Sequence, residues 1–208
     1  MDLKQKPRAR PEAQSPQMGL DRLSGIAGRT LLLVGAGGCG MRGLAKLFLQ
    51  AGWEVYGQDA RGFEATDPLL ADGLKPLVEE DPLAVSWVVR SAAVPAIDRH
   101  VARAIAGGAG SLLYSDMLGE SSRLRPVLAV AGSHGKTTCT AWIAYGRQEA
   151  GVDAGWLGGA PVPQLPSSAA WGNPALPLVV ESCEYARSFH ALAPSDVALI
   201  NVDAEHPD

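Results

Sequence analysis

The chain has 208 residues, 47% hydrophobic and 19% charged, with 18 basic and 22 acidic side chains and a formal net charge of -4. This is an ordinary globular composition, and its slight acidic excess argues against a chain built to coat nucleic acid or an anionic membrane. Cys39, Cys139 and Cys183 are far apart with no CxxC pair, no apolar run approaches the roughly 18 residues of a membrane span, and no signal peptide opens the chain. Together these features exclude a disulfide scaffold and point to a soluble cytoplasmic protein with reduced thiols.

Residues 1–24 are polar and rich in Pro, Gln, Lys and Arg, the composition of a disordered leader. "TLLLVGAGG" then reads as a buried strand running into a glycine turn. "MRGLAKLFLQAG" reads as a helix stopped by Gly52, and "WEVYGQD" as the next strand. Strand, turn, helix and strand make a βαβ unit and hence a parallel sheet, so the fold class is α/β with a Rossmann-like first domain over residues 25–122. "AVSWVVRSAAVP" adds a strand, "IDRHVARAIAGGAG" a helix, and "SLLYSDMLGE" a short strand and helical turn. The polar "SSRLRP", Ser121 to Pro126, reads as a linker. The pattern then restarts over 127–208 as a P-loop-type α/β domain: strand "VLAVAG", a helix from Gly135 to about Ala150, a loop from Pro161 to Pro177, and two further buried strands in "LVVESCEY" and "VALINVD". His100 and His190 carry no motif and are expected to be exposed.

Two glycine turns carry the chemistry. The first, Gly35-Ala36-Gly37-Gly38-Cys39-Gly40, is a GxGxxG string that is weak alone in a chain with 24 glycines. Its position between strand and helix strengthens it, because there the backbone can approach a pyrophosphate at a helix N-terminus. Asp59 closes the following strand, where a dinucleotide fold places its ribose-binding acid. The alternatives are NAD, another diphosphate ligand, or a tight turn with no ligand.

The second turn, Gly132-Ser133-His134-Gly135-Lys136-Thr137-Thr138, is the more specific. Its amides suit the phosphates of ATP, the Lys136 ammonium the β and γ oxygens, and the Thr137 hydroxyl Mg2+. Two residues separate its first glycine from the Gly-Lys pair, where the general P-loop has four.

The shortened GSHGKTT loop resembles the ATP motif of the Mur ligases, which build the peptide of bacterial cell wall precursors. "VGAGGCGMRGLAKLFLQAGWEVYGQD", "VVRSAAVP" and "VVESCEYARSF…P…VALINVDAEHPD" are similar to further segments of that family. The likeness runs from about Thr30 to Asp208 and is strongest to the member that joins L-alanine to UDP-N-acetylmuramate. The resemblance implies that Gly35, Gly37, Gly38, Gly40, Met41, Asp59, Ser91 and Ala92 hold the UDP-sugar, and that the second turn holds ATP. It also implies that Lys136, Glu181 and His206 are catalytic, with Thr137, Glu181 and His206 at metal positions and Asn201 at the end of its strand. Glu205 stands where the family usually has aspartate. Glu184 and Asp203 are expected to lie outside the ligand set, and Cys183 to be a buried filler.

The resemblance further implies that the chain stops early in the central ATP-binding domain, so that the acceptor-binding part is absent and the fragment alone is inactive. An unpaired edge is expected in the second sheet. Three rival functions remain at the level of sequence. One is a ligase that recycles a ready-made tripeptide onto the same sugar nucleotide. The others are an NAD-dependent oxidoreductase and a non-catalytic nucleotide-binding module.

Overall fold

Leu31 to Val34 have no solvent exposure, which requires a strand covered on both faces. In the computed structural model, which describes residues 29–78, 84–182 and 189–203, this strand is β1 (Thr30–Val34). Leu31 and Leu33 pack on one side with Met41, Leu44, Ala45 and Phe48 of α1 (Cys39–Gln50). Leu32 and Val34 pack on the other with Val101 and Ala104 of α3 (Arg99–Ala106). The other strands are β2 (Glu54–Gln58), β3 (Lys75–Pro76), β4 (Trp87–Arg90) and β5 (Gly110–Leu113), in the order β3-β2-β1-β4-β5. Every pairing is parallel. The chain reverses its direction of winding between β1 and β4, so the loops after these two strands face one crevice. The leader over residues 1–24 lies outside the described residues, as do Cys183, Glu184, Glu205 and His206.

A second five-stranded sheet is ordered β10-β6-β9-β7-β8, from β6 (Val127–Ala131), β7 (Trp156–Leu157), β8 (Ala169–Ala170), β9 (Leu178–Glu181) and β10 (Asp196–Leu199). Only the β7–β8 pairing is antiparallel. The long α5 (Lys136–Glu149) covers one face, where Val130, Ala144, Trp156 and Val179 form a core cluster. On the opposite face Leu47 of α1 and Leu118 of α4 (Tyr114–Ser122) join Val127, Leu157, Ala169, Leu178 and Val180. Helix α1 is therefore buried on two sides. A Cβ on its Gly43 would lie 2.4 Å from Leu157 Cδ1, and Gln50 Oε1 accepts a 2.7 Å hydrogen bond from the Trp171 amide. At the far edge β10 pairs with β6 among the described residues, and Val197 and Leu199 are exposed.

Five features differ from the sequence expectations, the first being β10, expected as a buried strand but exposed at Val197 and Leu199 because it lies at the sheet edge. Helix α4 runs through Ser122, whose hydroxyl donates to the Gly119 carbonyl, one of the last four left without an intrahelical partner, while the Ser121 hydroxyl donates to Met117 O. The linker is thus shorter, and its Arg125 is buried, not solvated. The Pro161–Pro177 stretch contains β8, held by β7. His100 is buried as well, because it lies one turn from Ala104 on the inner face of α3 and accepts from Arg99 Nε.

The first sheet also holds α2 (Pro68–Ala71), capped by the Asp67 carboxylate, which accepts from the Leu69 amide at 2.9 Å. The Arg42 guanidinium of α1 grips the same carboxylate at 2.7 and 2.6 Å. The hydrogen bond from Arg42 holds the Asp67 carboxyl below its usual value, against the opposing effect of burial. A depressed carboxyl contributes stability above its unfolded pKa of roughly 4 and loses it as the pH falls through the lower folded value. Asp67→Asn, which keeps a capping side chain, is expected to cost about 1 kcal/mol at pH 7. That difference should shrink towards zero in urea titrations as the pH falls through the lowered folded value. A difference independent of pH would remove the ion pair from the account.

Candidate active site

The first glycine turn leaves β1 and enters α1 directly. The Gly35 and Ala36 amides donate to Gln58 O at 2.8 and 3.0 Å, which clamps the turn to the end of β2. Asp59 Oδ2 accepts from the Gly37 amide at 2.8 Å. A Cβ at Gly37 would stand 2.7 Å from that oxygen, so the absent side chain makes room for Asp59. One at Gly35, where φ is +80°, would press on Ser91 and Val94 of the loop after β4. The turn and the Ser91–Val94 loop are thus packed side by side at the point where the sheet changes its direction of winding.

The second turn lies between β6 and α5. Gly135 has φ +78°, and Gly132 has φ +154° with its Cβ position 2.6 Å from Ile200 Cγ1, so neither place admits a side chain. Asn201, just past β10, makes two bonds to one residue of the loop: its Oδ1 accepts from the His134 amide at 2.9 Å and its Nδ2 donates to His134 O at 3.0 Å. Ser133 and Asp203 add a further pair, with the Asp203 amide donating to Ser133 Oγ at 2.9 Å. The buried Lys136 folds over its own loop, and its ammonium donates to Gly132 O at 2.7 Å and Ser133 O at 3.1 Å. On the other side of β6, at the end of β9, Glu181 Oε1 accepts from Thr137 Oγ1 at 3.0 Å. Glu181 Oε2 accepts from the Gly159 amide at 2.7 Å. The ends of β6, β9 and β10 thereby gather Lys136, Thr137, Glu181 and Asn201 at one edge. Thr138 follows them on an exposed face of α5.

A cavity of about 410 Å³ runs from the first turn to the Glu181 carboxylate, which is itself bonded to Thr137 of the second turn. Gly38, Gly40, Met41, Ser91 and Ala92 line it from the first sheet, and Gly158, Gly159 and Glu181 from the second. Gly35, Gly37 and Asp59 are not among its lining residues; they brace the turn that is. The wall also includes Cys39, Leu113, Tyr114, Ser115, Leu157, Gly158 and Gly159, to which the sequence assigns no role in the site. Gly158-Gly159 follows an apolar strand pair just as the other two glycine turns follow strands, and that repetition was the available signal. His206 lies outside the described residues, and among those described no group of three or more His, Cys, Asp or Glu side chains is placed to hold a metal. No helix among them is long and apolar enough to cross a membrane.

The sequence model of the Mur ligase family, catalytic domain, matches residues 31–125. The chain is also 41% identical over 179 residues to the UDP-N-acetylmuramate–L-alanine ligase of Chloroflexus aggregans, covering 85% of this chain and 38% of that protein. Over these residues the chain matches the Mur ligase family. The ligase of the same name from Roseiflexus castenholzii is 40% identical with the same coverage.

Among solved Mur ligases, the UDP-N-acetylmuramate:L-alanyl-gamma-D-glutamyl-meso-diaminopimelate ligase from Neisseria meningitides superposes with a TM-score of 0.72 at 27% identity. That match covers 88% of this chain and 63% of the solved one. The UDP-N-acetylmuramate-alanine ligase of Thermotoga maritima shares the fold with a TM-score of 0.75 at 24% identity, covering 86% and 43% of the two chains. The chain spans 38% of the length of the curated relatives it matches.

Proposed function

We propose that the chain is the sugar-nucleotide and ATP-handling part of a cytoplasmic ligase that joins L-alanine to UDP-N-acetylmuramate in peptidoglycan precursor synthesis. The observation that carries this is the single cavity bordered at one end by the first glycine turn and at the other by Glu181, itself bonded to Thr137 of the second turn. A carboxylate on a sugar nucleotide held at the first turn would face the γ-phosphate of ATP held at the second. The names of the relatives at 40–41% identity support alanine as the amine.

A carboxylate is a poor electrophile because its leaving group would be oxide. Transfer of the γ-phosphoryl group from ADP oxygen to a carboxylate oxygen gives an acyl phosphate. The amine of alanine then attacks the acyl carbon, and inorganic phosphate leaves with the bonding pair. The protein's part is positioning and charge neutralisation. The loop amides and the Lys136 ammonium would bind the phosphates. Thr137 and Glu181 offer a hydroxyl and a carboxylate already 3.0 Å apart, hard oxygen donors that fit Mg2+. A bound Mg2+ would supply Lewis-acid neutralisation of phosphate charge. Ser91 and Ala92, beside the first turn, would fix the sugar nucleotide's approach, and His206 would complete the metal set.

Calorimetric titration tests the proposal. UDP-N-acetylmuramate should bind with micromolar affinity, and NAD should not. Gly37→Val should abolish sugar-nucleotide binding, because its side chain must displace Asp59 and with it the turn. NAD binding without UDP-sugar binding would refute the assignment, and affinity for neither would favour a non-catalytic module. With the whole enzyme, faster turnover on a tripeptide than on L-alanine would favour the recycling ligase, whose solved relative shares this fold.

A further inference from the structure

The turn after β7 contributes one polar group to the site through its backbone. The Gly158 amide still belongs to the β7–β8 hairpin and donates to Ser168 O at 2.9 Å. One residue on, the Gly159 amide has left the hairpin and donates to Glu181 Oε2 at 2.7 Å. This is the short contact expected of a charge-assisted bond. It occupies one carboxylate oxygen and leaves the other on the Thr137 hydroxyl at 3.0 Å. The carboxylate is thus held from both sides. The three atoms nearest to a Cβ built on Gly159 are the Glu181 Oε2, Cδ and Oε1 atoms, at 2.6, 2.9 and 2.9 Å. No side chain at position 159 can coexist with this carboxylate placement.

We infer that Gly159 is a positioning residue for the metal site: its amide aims the Glu181 carboxylate at Thr137, and its missing side chain makes the space for it. This rests on the proposed role of Glu181 toward magnesium-bound ATP. Gly159 is not among the glycines with positive φ, so alanine meets no backbone strain there and reports on the carboxylate alone. The coupling also connects β7, and through it the face of α1 that packs on Leu157, to the metal-binding end of the cavity.

The test measures Mn2+ binding by electron paramagnetic resonance in the presence of a non-hydrolysable ATP analogue. Gly159→Ala should weaken Mn2+ about tenfold, the low end for an outer-shell partner because this amide is partly solvated. In a Glu181→Ala background the same substitution should change the affinity by less than about twofold, since it acts through the carboxylate. Equal losses in both backgrounds, or no loss in either, would overturn the inference. If the unsubstituted chain binds no Mn2+–nucleotide, the proposed function of the site fails and this inference falls with it.

A nuclear magnetic resonance measurement avoids the glycine substitution should that variant not fold. In Glu181→Gln the Gly159 amide proton should move upfield as its partner loses charge. An unmoved resonance would equally overturn the inference.

Discussion

Lys136→Met should weaken binding of a non-hydrolysable ATP analogue by about 10²- to 10³-fold, the scale of truncating one partner of a buried, hydrogen-bonded charge pair. The side chain is buried at the first turn of α5, and its ammonium sits on the Gly132 and Ser133 carbonyls of the loop it belongs to. Methionine keeps the volume of the stem and removes both the charge and the two bonds. The loop should hold its shape, because Asn201 grips His134 independently and Ser133 is bound to Asp203. The loss of global stability should therefore stay near 1 kcal/mol. Lys136→Arg restores the charge on a wider, planar head that cannot occupy the same place between two carbonyls, so it should recover only part of the affinity. Isothermal titration of the three proteins decides the matter. An affinity for Lys136→Met within about twofold of the parent would remove Lys136 from the nucleotide site.

The largest effect on stability should come from Arg125→Ala, at about 3 kcal/mol in urea denaturation. The guanidinium is buried where the chain passes from the first sheet to the second. It donates to the carbonyls of Trp171, Asn173 and Leu176 at 2.6, 2.8 and 2.8 Å. Its Cζ lies 5.2 Å from the Trp171 ring centroid, which adds a cation–π contact. Burial pushes its pKa down, and Asp153 only partly offsets this. A cation is tolerated there because three carbonyl oxygens replace its water. Alanine would strand those oxygens and loosen the segment leading into β9, at whose end Glu181 is placed. A lysine ammonium also has three donors, but all on one nitrogen, and it cannot span the acceptors that two guanidinium nitrogens reach; it should rescue less than half of the loss. A cost below about 1 kcal/mol for Arg125→Ala would mean that water satisfies the three carbonyls equally well.

The strands plainest in the sequence include those buried on both faces. Leu31–Val34 and Leu178–Val180 are unbroken apolar runs because α/β packing leaves neither side to solvent. The two-residue strands β3, β7 and β8 are too short to carry a period, and their pairing depends on neighbours far along the chain. Arg125 was read as part of a polar linker because its charge is visible in the sequence and its three carbonyl partners, 46 to 51 residues away, are not. His100 follows the same logic: a polar side chain on the inner stripe of α3, at four-residue spacing from the buried Ala104.

Within the site, Gly-Lys-Thr and Glu181 were legible because their side chains announce their chemistry. Gly159 was not, since its contribution is an amide and an empty space. Asp59 was legible as an acid at a strand end, and its bond to Gly37 could be seen only once the turn had closed on itself.

Helix α1 follows the first glycine turn and gives one face to each sheet, with Leu44 and Phe48 in one core and Leu47 in the other. A chain divided at residues 123–126 would therefore not yield two self-sufficient halves. The second half would lose the cover over Leu157 and Leu178, and the first would display Leu47 to water. The covalent connection between the sheets is a few residues long, but the boundary that matters to melting runs through the middle of a helix. Heat or denaturant that opens either sheet removes part of the other's interior, so the two glycine turns form and dissolve as one cooperative unit.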